Sequence, residues 1–179
     1  MKKTQLEAGK YWDQSWSPIR GCSHASPGCL NCWAERMAGR FCGGQSDSVC
    51  REVSGMNPGG PFHGFATSKR WTGRVELIES ELVKPLHWRK PRVIALNWMG
   101  DLFHKQVPDE AIDRVFAVMA LCPQHKFLVL TKRAKRMREY LSQGPFNGYT
   151  GGRTTPILET AKALALKNDY DGYAALGRF

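Results

Sequence analysis

The clearest hydrophobic pattern lies between residues 92 and 141, where two short apolar runs alternate with two helix-like segments. RVIALN (92–97) and KFLVLT (126–131) have the length and β-branched content of buried strands. Between them, apolar residues recur with the spacing of one helical face: Ile112, Val115, Phe116 and Met119. KRAKRMREYL (132–141) follows as a second helix. Strands that are almost continuously apolar and alternate with helices predict parallel βα units in an α/β fold.

Weaker patterns flank this region. RVELI (74–78) alternates like a half-buried strand, and TPILETAKALALK (155–167) favours a helix. A short helix is predicted after Asn31, a good N-cap residue, with Trp33, Met37 and Phe41 on one face that we expect to pack in the core. Residues 42–73 hold seven glycines and two prolines, which predicts a long irregular insertion.

Length and composition fit one domain with an appendage. We divide the chain of 179 residues into an α/β domain over 1–144 and a partly helical tail over 145–179. No apolar run is long enough to cross a membrane, and no apolar stretch follows the two N-terminal lysines as a secretory signal would require. We therefore expect a cytoplasmic protein that neither spans nor binds a membrane.

The chain is strongly basic. It carries 26 Lys and Arg against 16 Asp and Glu, a formal net charge of +10. Such an excess favours a polyanionic partner without identifying it, and a nucleic acid or nucleotide is the leading candidate. The basic positions between 132 and 138 fit either an anion-binding surface or an ordinary solvated helix face.

Three of the six cysteines lie in one short stretch, GCSHASPGCLNC (21–32), with the spacing Cys22-x6-Cys29-x2-Cys32. In a reducing compartment, clustered thiols are most useful as thiolate ligands of a metal. The intervening serine, proline and glycine allow the loop to fold back so that the three sulfurs face one centre. The helix that follows would direct its N-terminal amides toward an anionic group there.

Two kinds of metal centre remain open. Zinc prefers four ligands, and the fourth candidates are His24, Cys42 and Cys50, although no second C-x2-C pair exists. Three cysteines also suit a [4Fe-4S] cluster that leaves one iron free for a small molecule. We expect Cys42, Cys50 and Cys122 to be small buried or flanking residues, and most of the six tryptophans to serve core packing rather than base stacking.

The cysteine stretch and its surroundings, WSPIRGCSHASPGCLNCWAERMAGRF, resemble the opening of a phage-associated family of largely uncharacterised proteins, the gene-product thirty-seven/sixty-eight family. That family in turn resembles the radical S-adenosylmethionine (SAM) enzymes, with a variant cysteine spacing. The similarity continues through the Asp-Leu-Phe-His and Thr-Lys-Arg stretches and covers about residues 11 to 140.

The resemblance implies a fold, a cofactor set and an activity. The fold would be a partial TIM-like barrel, because a complete one takes about 250 residues. Cys22, Cys29 and Cys32 would hold a [4Fe-4S] cluster, and SAM would bind the open iron. Reductive cleavage of SAM would then yield a 5′-deoxyadenosyl radical that abstracts hydrogen from a substrate, and an external electron donor would be needed.

Further candidate residues follow the predicted strands. Site residues of parallel α/β folds gather at the carboxyl ends of strands. This position selects residues that would contact SAM or the substrate: Asn97, Asp101, His104, Thr131, Lys132 and Arg133. The alternative to an enzyme is a binding module, stabilised by zinc or a cluster, that contacts nucleic acid or a host protein.

Overall fold

Ten helices and strands are present in the computed structural model, which describes residues 9, 11–41, 64–66, 70–143 and 154–168. In chain order they are β1 (Gln14–Trp16), β2 (Ile19–Arg20), α1 (Trp33–Phe41), β3 (Glu76–Leu77), α2 (Glu79–Leu82), β4 (Val93–Leu96), α3 (Asp109–Leu121), β5 (Lys126–Val129), α4 (Ala134–Leu141) and α5 (Thr154–Lys167). Two 3₁₀ turns, Pro27–Cys29 and Lys84–His87, complete the set. Most of the irregular stretch predicted over 42–73, including Cys42 and Cys50, lies outside the described residues.

A parallel sheet with the strand order β1-β4-β5 forms the centre of the fold. Ile94 in β4 pairs with Gln14 on one side and with Phe127 on the other, and both pairings are parallel. The predicted parallel βα unit is therefore confirmed by β4, α3 and β5. Within the described ranges, these three strands do not close into a barrel.

The predicted helices and strands are present, and two of them are shorter than predicted. The strand expected over 74–78 is reduced to β3, which pairs antiparallel with β2. Helix α4 begins at Ala134 rather than at Lys132. The later start has a local cause, since the amide of Lys132 donates to the Asp101 carboxylate at 3.1 Å and that of Arg133 donates to the Thr131 hydroxyl at 2.9 Å.

The core is built around α3. Its buried positions, which include Ile112, Val115 and Leu121, face the sheet and the neighbouring helices. Helix α5 packs along α3 and contributes Ala161, Leu164 and Ala165 to the same core. The helix predicted over 155–167 is thus confirmed, and it joins the core although it lies in the segment predicted as a tail.

Two polar links tie the layers together. The Tyr140 hydroxyl of α4 donates to the buried Asp113 carboxylate of α3 at 2.7 Å. The Trp16 indole at the end of β1 donates to the Glu81 carbonyl at 2.8 Å. Trp16 and Cys122 are both fully buried, as expected for core residues. No helix within the described ranges has the length and apolar character needed to cross a membrane.

Candidate functional site

The ends of β4 and β5 and the cysteine loop open onto one cavity of about 320 Å³. The loop reaches it because Gly21 lies against Gly100 at the end of β4 in a parallel bridge. Eight of the nine residues that the sequence analysis assigned to the cluster, to SAM or to the substrate line this cavity: Cys22, Cys29, Cys32, Asn97, Asp101, Thr131, Lys132 and Arg133. The structure therefore brings together residues that are up to 110 positions apart in sequence.

The thiols have different surroundings. Burial raises the pKa of the Cys22 thiol, and the adjacent Arg133 guanidinium opposes that effect. Burial also acts to raise the pKa of Cys29, but backbone hydrogen bonds from Ala25 and Ser26 together with the charge of Lys132 bring it below its ordinary value. The Ala25 amide lies 3.4 Å from the Cys29 sulfur. Cys29 is therefore the thiol that its surroundings favour most clearly as a thiolate.

The three thiols face one cavity without forming a single-ion site. Cys22, Cys29 and Cys32 form no disulfide. Among the described residues, no three His, Cys, Asp or Glu side chains are grouped so that they could hold one metal ion. The donor chemistry suits a thiophilic metal centre.

Asp101 connects the ends of β4 and β5. Its side chain is buried and accepts four hydrogen bonds. The amide of Phe103 and the hydroxyl of Thr131 donate to Oδ1 at 3.0 and 2.7 Å. The amide of Lys132 and the guanidinium of Arg133 donate to Oδ2 at 3.1 and 3.0 Å. Both oxygens are thus engaged within the protein, and Asp101 positions the two loops on which the cavity depends.

Arg133 links this junction to the cysteine loop. Its Nη2 donates to the Ser23 carbonyl at 2.8 Å, and its Nη1 lies 3.6 Å from the Cys22 sulfur. Ser23 was not singled out from the sequence, although its position beside Cys22 could have indicated it. The guanidinium is therefore a fixed positive charge beside the Cys22 sulfur.

His104 is not among the residues that line the cavity, and its contact with SAM or substrate stays a prediction. It is 1% exposed, and its Nε2 lies 2.7 Å from the Ser23 hydroxyl. The amide of Gln106 donates to Nδ1, which leaves the proton of the neutral ring on Nε2 to donate to Ser23. Burial, reinforced by the charge of Arg133, lowers the pKa of His104 to about 4.

Lys132 and Asn97 complete the predicted set. The exposed Lys132 reaches across to the cysteine loop, where Nζ donates to the Gly28 carbonyl at 2.7 Å. Asn97 is 3% exposed and its Nδ2 donates to the Ile19 carbonyl at 2.8 Å. Its Oδ1 is buried and has no hydrogen-bond partner in the part of the chain that the structure describes.

Three tryptophans form one wall of the cavity. Trp33, Trp71 and Trp98 all line it, and the Trp33 ring meets the Trp98 ring edge-on at 5.9 Å between centroids. The prediction that Trp33 packs in the core is wrong, because its side chain is 53% exposed. Helix α1 instead buries Glu35 and Ala38. The position of Trp33 directly after a cysteine was the available sequence signal.

A histidine-carboxylate pair borders the same loop. His24 lines the cavity and its Nε2 lies 3.1 and 2.9 Å from the two Glu35 oxygens. Glu35 is 6% exposed and also accepts the amide of Trp71 at 2.9 Å. This pair anchors the cysteine loop to α1 and holds His24 in one orientation.

The basic run of α4 separates into two kinds of residue. Arg133 and Arg136 are engaged in the structure: Arg136 donates to the His104 and Val107 carbonyls and pairs with Asp109 at 3.0 Å. Lys135 and Arg138, in contrast, lie exposed, as a solvated helix face requires.

Comparison with known proteins identifies a family whose function is unknown. A family model with the description "Protein of unknown function (DUF5131)" matches residues 7–162. No curated protein and no solved structure matches the chain.

Proposed function

The chain belongs to the DUF5131 family, whose model covers most of its length, and we propose that it is an iron–sulfur protein of the radical-SAM type. In this proposal Cys22, Cys29 and Cys32 bind three irons of a [4Fe-4S] cluster. SAM binds the fourth iron, in keeping with the resemblance to the phage-associated family. One observation carries the proposal: three thiols of one loop and the carboxyl ends of two parallel strands line the same cavity.

The surroundings of the thiols support metal binding. All three thiols line the cavity, and a cubane cluster takes one thiolate on each iron that it binds through cysteine. The lowered pKa of Cys29 and the Arg133 guanidinium beside Cys22 both favour bound thiolates.

The fold supports the proposal in a second way. The strands β1, β4 and β5 form one parallel sheet, and the cavity lies at the carboxyl ends of β4 and β5. TIM-like barrels place their active sites at that end, so we propose that these strands form part of such a barrel.

Each side chain then has a role. When bound, the cluster and SAM supply a radical that abstracts hydrogen from the substrate. We propose that Asn97, which lines the cavity, contacts SAM. Asp101 and Thr131 act as positioning residues, since their polar atoms bind the protein itself. Lys132 holds the loop at Gly28.

Anaerobic reconstitution tests this proposal. We expect about four irons and four sulfides per chain, absorbance at about 400 nm, and cleavage of SAM to 5′-deoxyadenosine under reducing conditions. Cys29→Ser should abolish cluster binding, whereas Cys122→Ser, at a cysteine remote from the cavity, should retain it. A protein that binds no iron, or a Cys29→Ser variant that retains a full cluster, would contradict the proposal.

The His24–Glu35 pair favours one alternative, a non-enzymatic module stabilised by zinc. Histidines that bind metals usually have their second nitrogen held by a carboxylate, as Glu35 holds Nε2 here. His24 would then supply a fourth ligand. One zinc per chain, no absorbance near 400 nm, and loss of metal in His24→Ala would identify this module.

A further inference from the structure

We infer that the cavity accepts a nucleotide unit, with the base against the tryptophan wall and the phosphate near Lys132. The inference rests on the proposed function in that it names a substrate class for the same site. A cavity of about 320 Å³ lies at the small end of the range for ligand pockets. It therefore has room for one base and its sugar, and the rest of a longer ligand would lie outside.

The wall suits a flat aromatic ring. Trp33, Trp71 and Trp98 line the cavity, and Trp12 supports Trp98 from behind, with ring centroids 4.7 Å apart. Trp33 exposes 53% of its surface, so much of its ring is accessible to a ligand. Nucleobases stack on such faces whatever their sequence.

The charge at the mouth favours an anion. Lys132 is exposed there, and its Nζ donates to the Gly28 carbonyl. The nearby Asp101 carboxylate is already neutralised by Arg133. Helices α1 and α4 both begin at the cavity, so their N-terminal amides add positive potential. A phosphate attached to the stacked base would thus find a cation within the same site.

The same chemistry has three sources: a free nucleotide, an unpaired residue of a nucleic acid strand, and the adenosine of SAM. The free nucleotide and the nucleic acid strand carry a phosphate, whereas SAM does not. Titration calorimetry on the full chain, both metal-free and reconstituted, should therefore compare nucleoside monophosphates, the matching nucleosides, short single-stranded oligonucleotides and SAM.

Two pairs of variants locate the binding. Trp33→Ala should weaken nucleotide binding roughly tenfold or more, as loss of a stacking face does, while Trp33→Phe should retain most of the affinity. Lys132→Ala should reduce the difference in affinity between a monophosphate and its nucleoside. It should also lower the slope of log affinity against log salt concentration by about one. Lys126→Ala, at the opposite end of β5, should leave both unchanged.

The outcomes separate this inference from the proposed function. Nucleotide binding that depends on Trp33 and Lys132 supports the inference, whether or not a cluster forms. Oligonucleotides that bind more tightly than monophosphates identify a nucleic acid strand as the source, and the reverse order identifies a free nucleotide. Binding of SAM alone, or nucleotide binding that Trp33→Ala leaves intact, overturns the inference even if SAM is cleaved.

Discussion

Arg133 and Asp101 form a buried ion pair, with 3.0 Å between Nη1 and Oδ2 and side chains that are 12% and 6% exposed. The same guanidinium binds the Ser23 carbonyl. One pair thus joins the end of β4, the start of α4 and the cysteine loop. Because Asp101 and Arg133 both line the cavity, we expect its geometry to depend on this junction.

We expect Asp101→Asn to destabilise the protein by about 2–4 kcal/mol, because it leaves the buried Arg133 without its partner and places an amide against two donors. Urea unfolding measures the loss. The matched control is Glu76→Gln, which removes the partner of the exposed Arg74 and should cost less than about 1 kcal/mol. Equal effects at the two sites would show that the junction is not the structural centre of the site.

His104 predicts a pH dependence. Its pKa of about 4 lies below the ordinary value of 6.5, so between these values the unfolded chain binds more protons than the folded one. The free energy of unfolding should therefore be fully retained above about pH 6.5 and fall by about 2–3 kcal/mol as the pH drops to 4.

The variant His104→Gln isolates this contribution, because a glutamine amide can still donate to Ser23 while carrying no proton equilibrium. Subtracting the variant's free energy of unfolding from that of the parent at each pH cancels the contribution of the carboxylates, because both proteins share them. The difference in free energy of unfolding, parent minus variant, should increase as the pH rises from 4 to 6.5. A flat difference would mean that His104 titrates alike in the folded and unfolded states.

If the proposed cluster binds, Arg133 should raise its reduction potential, since a hydrogen bond and a positive charge at a ligand sulfur favour the reduced state. Arg133→Lys, which keeps the charge but loses the forked contact to Cys22 and Ser23, should shift the potential to more negative values in a spectroscopic redox titration. Arg136→Lys changes an arginine that is also ion-paired but has no described contact with the cysteines, and it should leave the potential unchanged.

Gly21 fixes the cysteine loop against the sheet. It has a φ of +90°, and a Cβ there would overlap the carbonyl oxygen of Arg74. Gly21→Ala should therefore cost about 3 kcal/mol or more, as strain and overlap add. Gly73 has a similar φ of +88° with open space around it, so Gly73→Ala should cost only about 1–2 kcal/mol. Thermal unfolding measures the loss of stability in both variants. Because the two glycines share a positive φ, the extra loss at Gly21 measures the cost of the overlap.

Helix α5 offers a matched pair for the core. Leu164 is 6% exposed and Leu166 is 81% exposed. Leu164→Ala should lower the free energy of unfolding by about 2–5 kcal/mol, and Leu166→Ala by less than about 0.5 kcal/mol. A single cooperative transition in both would show that the segment after residue 144 unfolds together with the α/β domain.

The sequence predicted what depends on local pattern. The apolar runs that became β4 and β5 and the helical spacing of α3 are set by residues close together in the chain. The rule that parallel strands present their carboxyl ends at one edge then placed Asn97, Asp101, Thr131 and Lys132 around one cavity, together with the cysteines.

What the sequence did not reveal depends on distant partners. Trp33 has the spacing of a core residue, but the buried face of α1 is fixed by Glu35, which binds His24 and the amide of Trp71. Asp101 has the position of a ligand contact, yet its oxygens are used by a threonine and an arginine that lie 30 and 32 residues later. No pattern along the chain encodes these partners.

The hydrogen bond from Arg133 to Ser23 spans 110 residues, which sets an order of events during biosynthesis. The cysteine loop leaves the ribosome well before the strand and helix that clamp it have been made. The contacts of Arg133 with Ser23 and Cys22 can therefore form only after residue 133 has emerged, so the loop acquires its final surroundings late in synthesis.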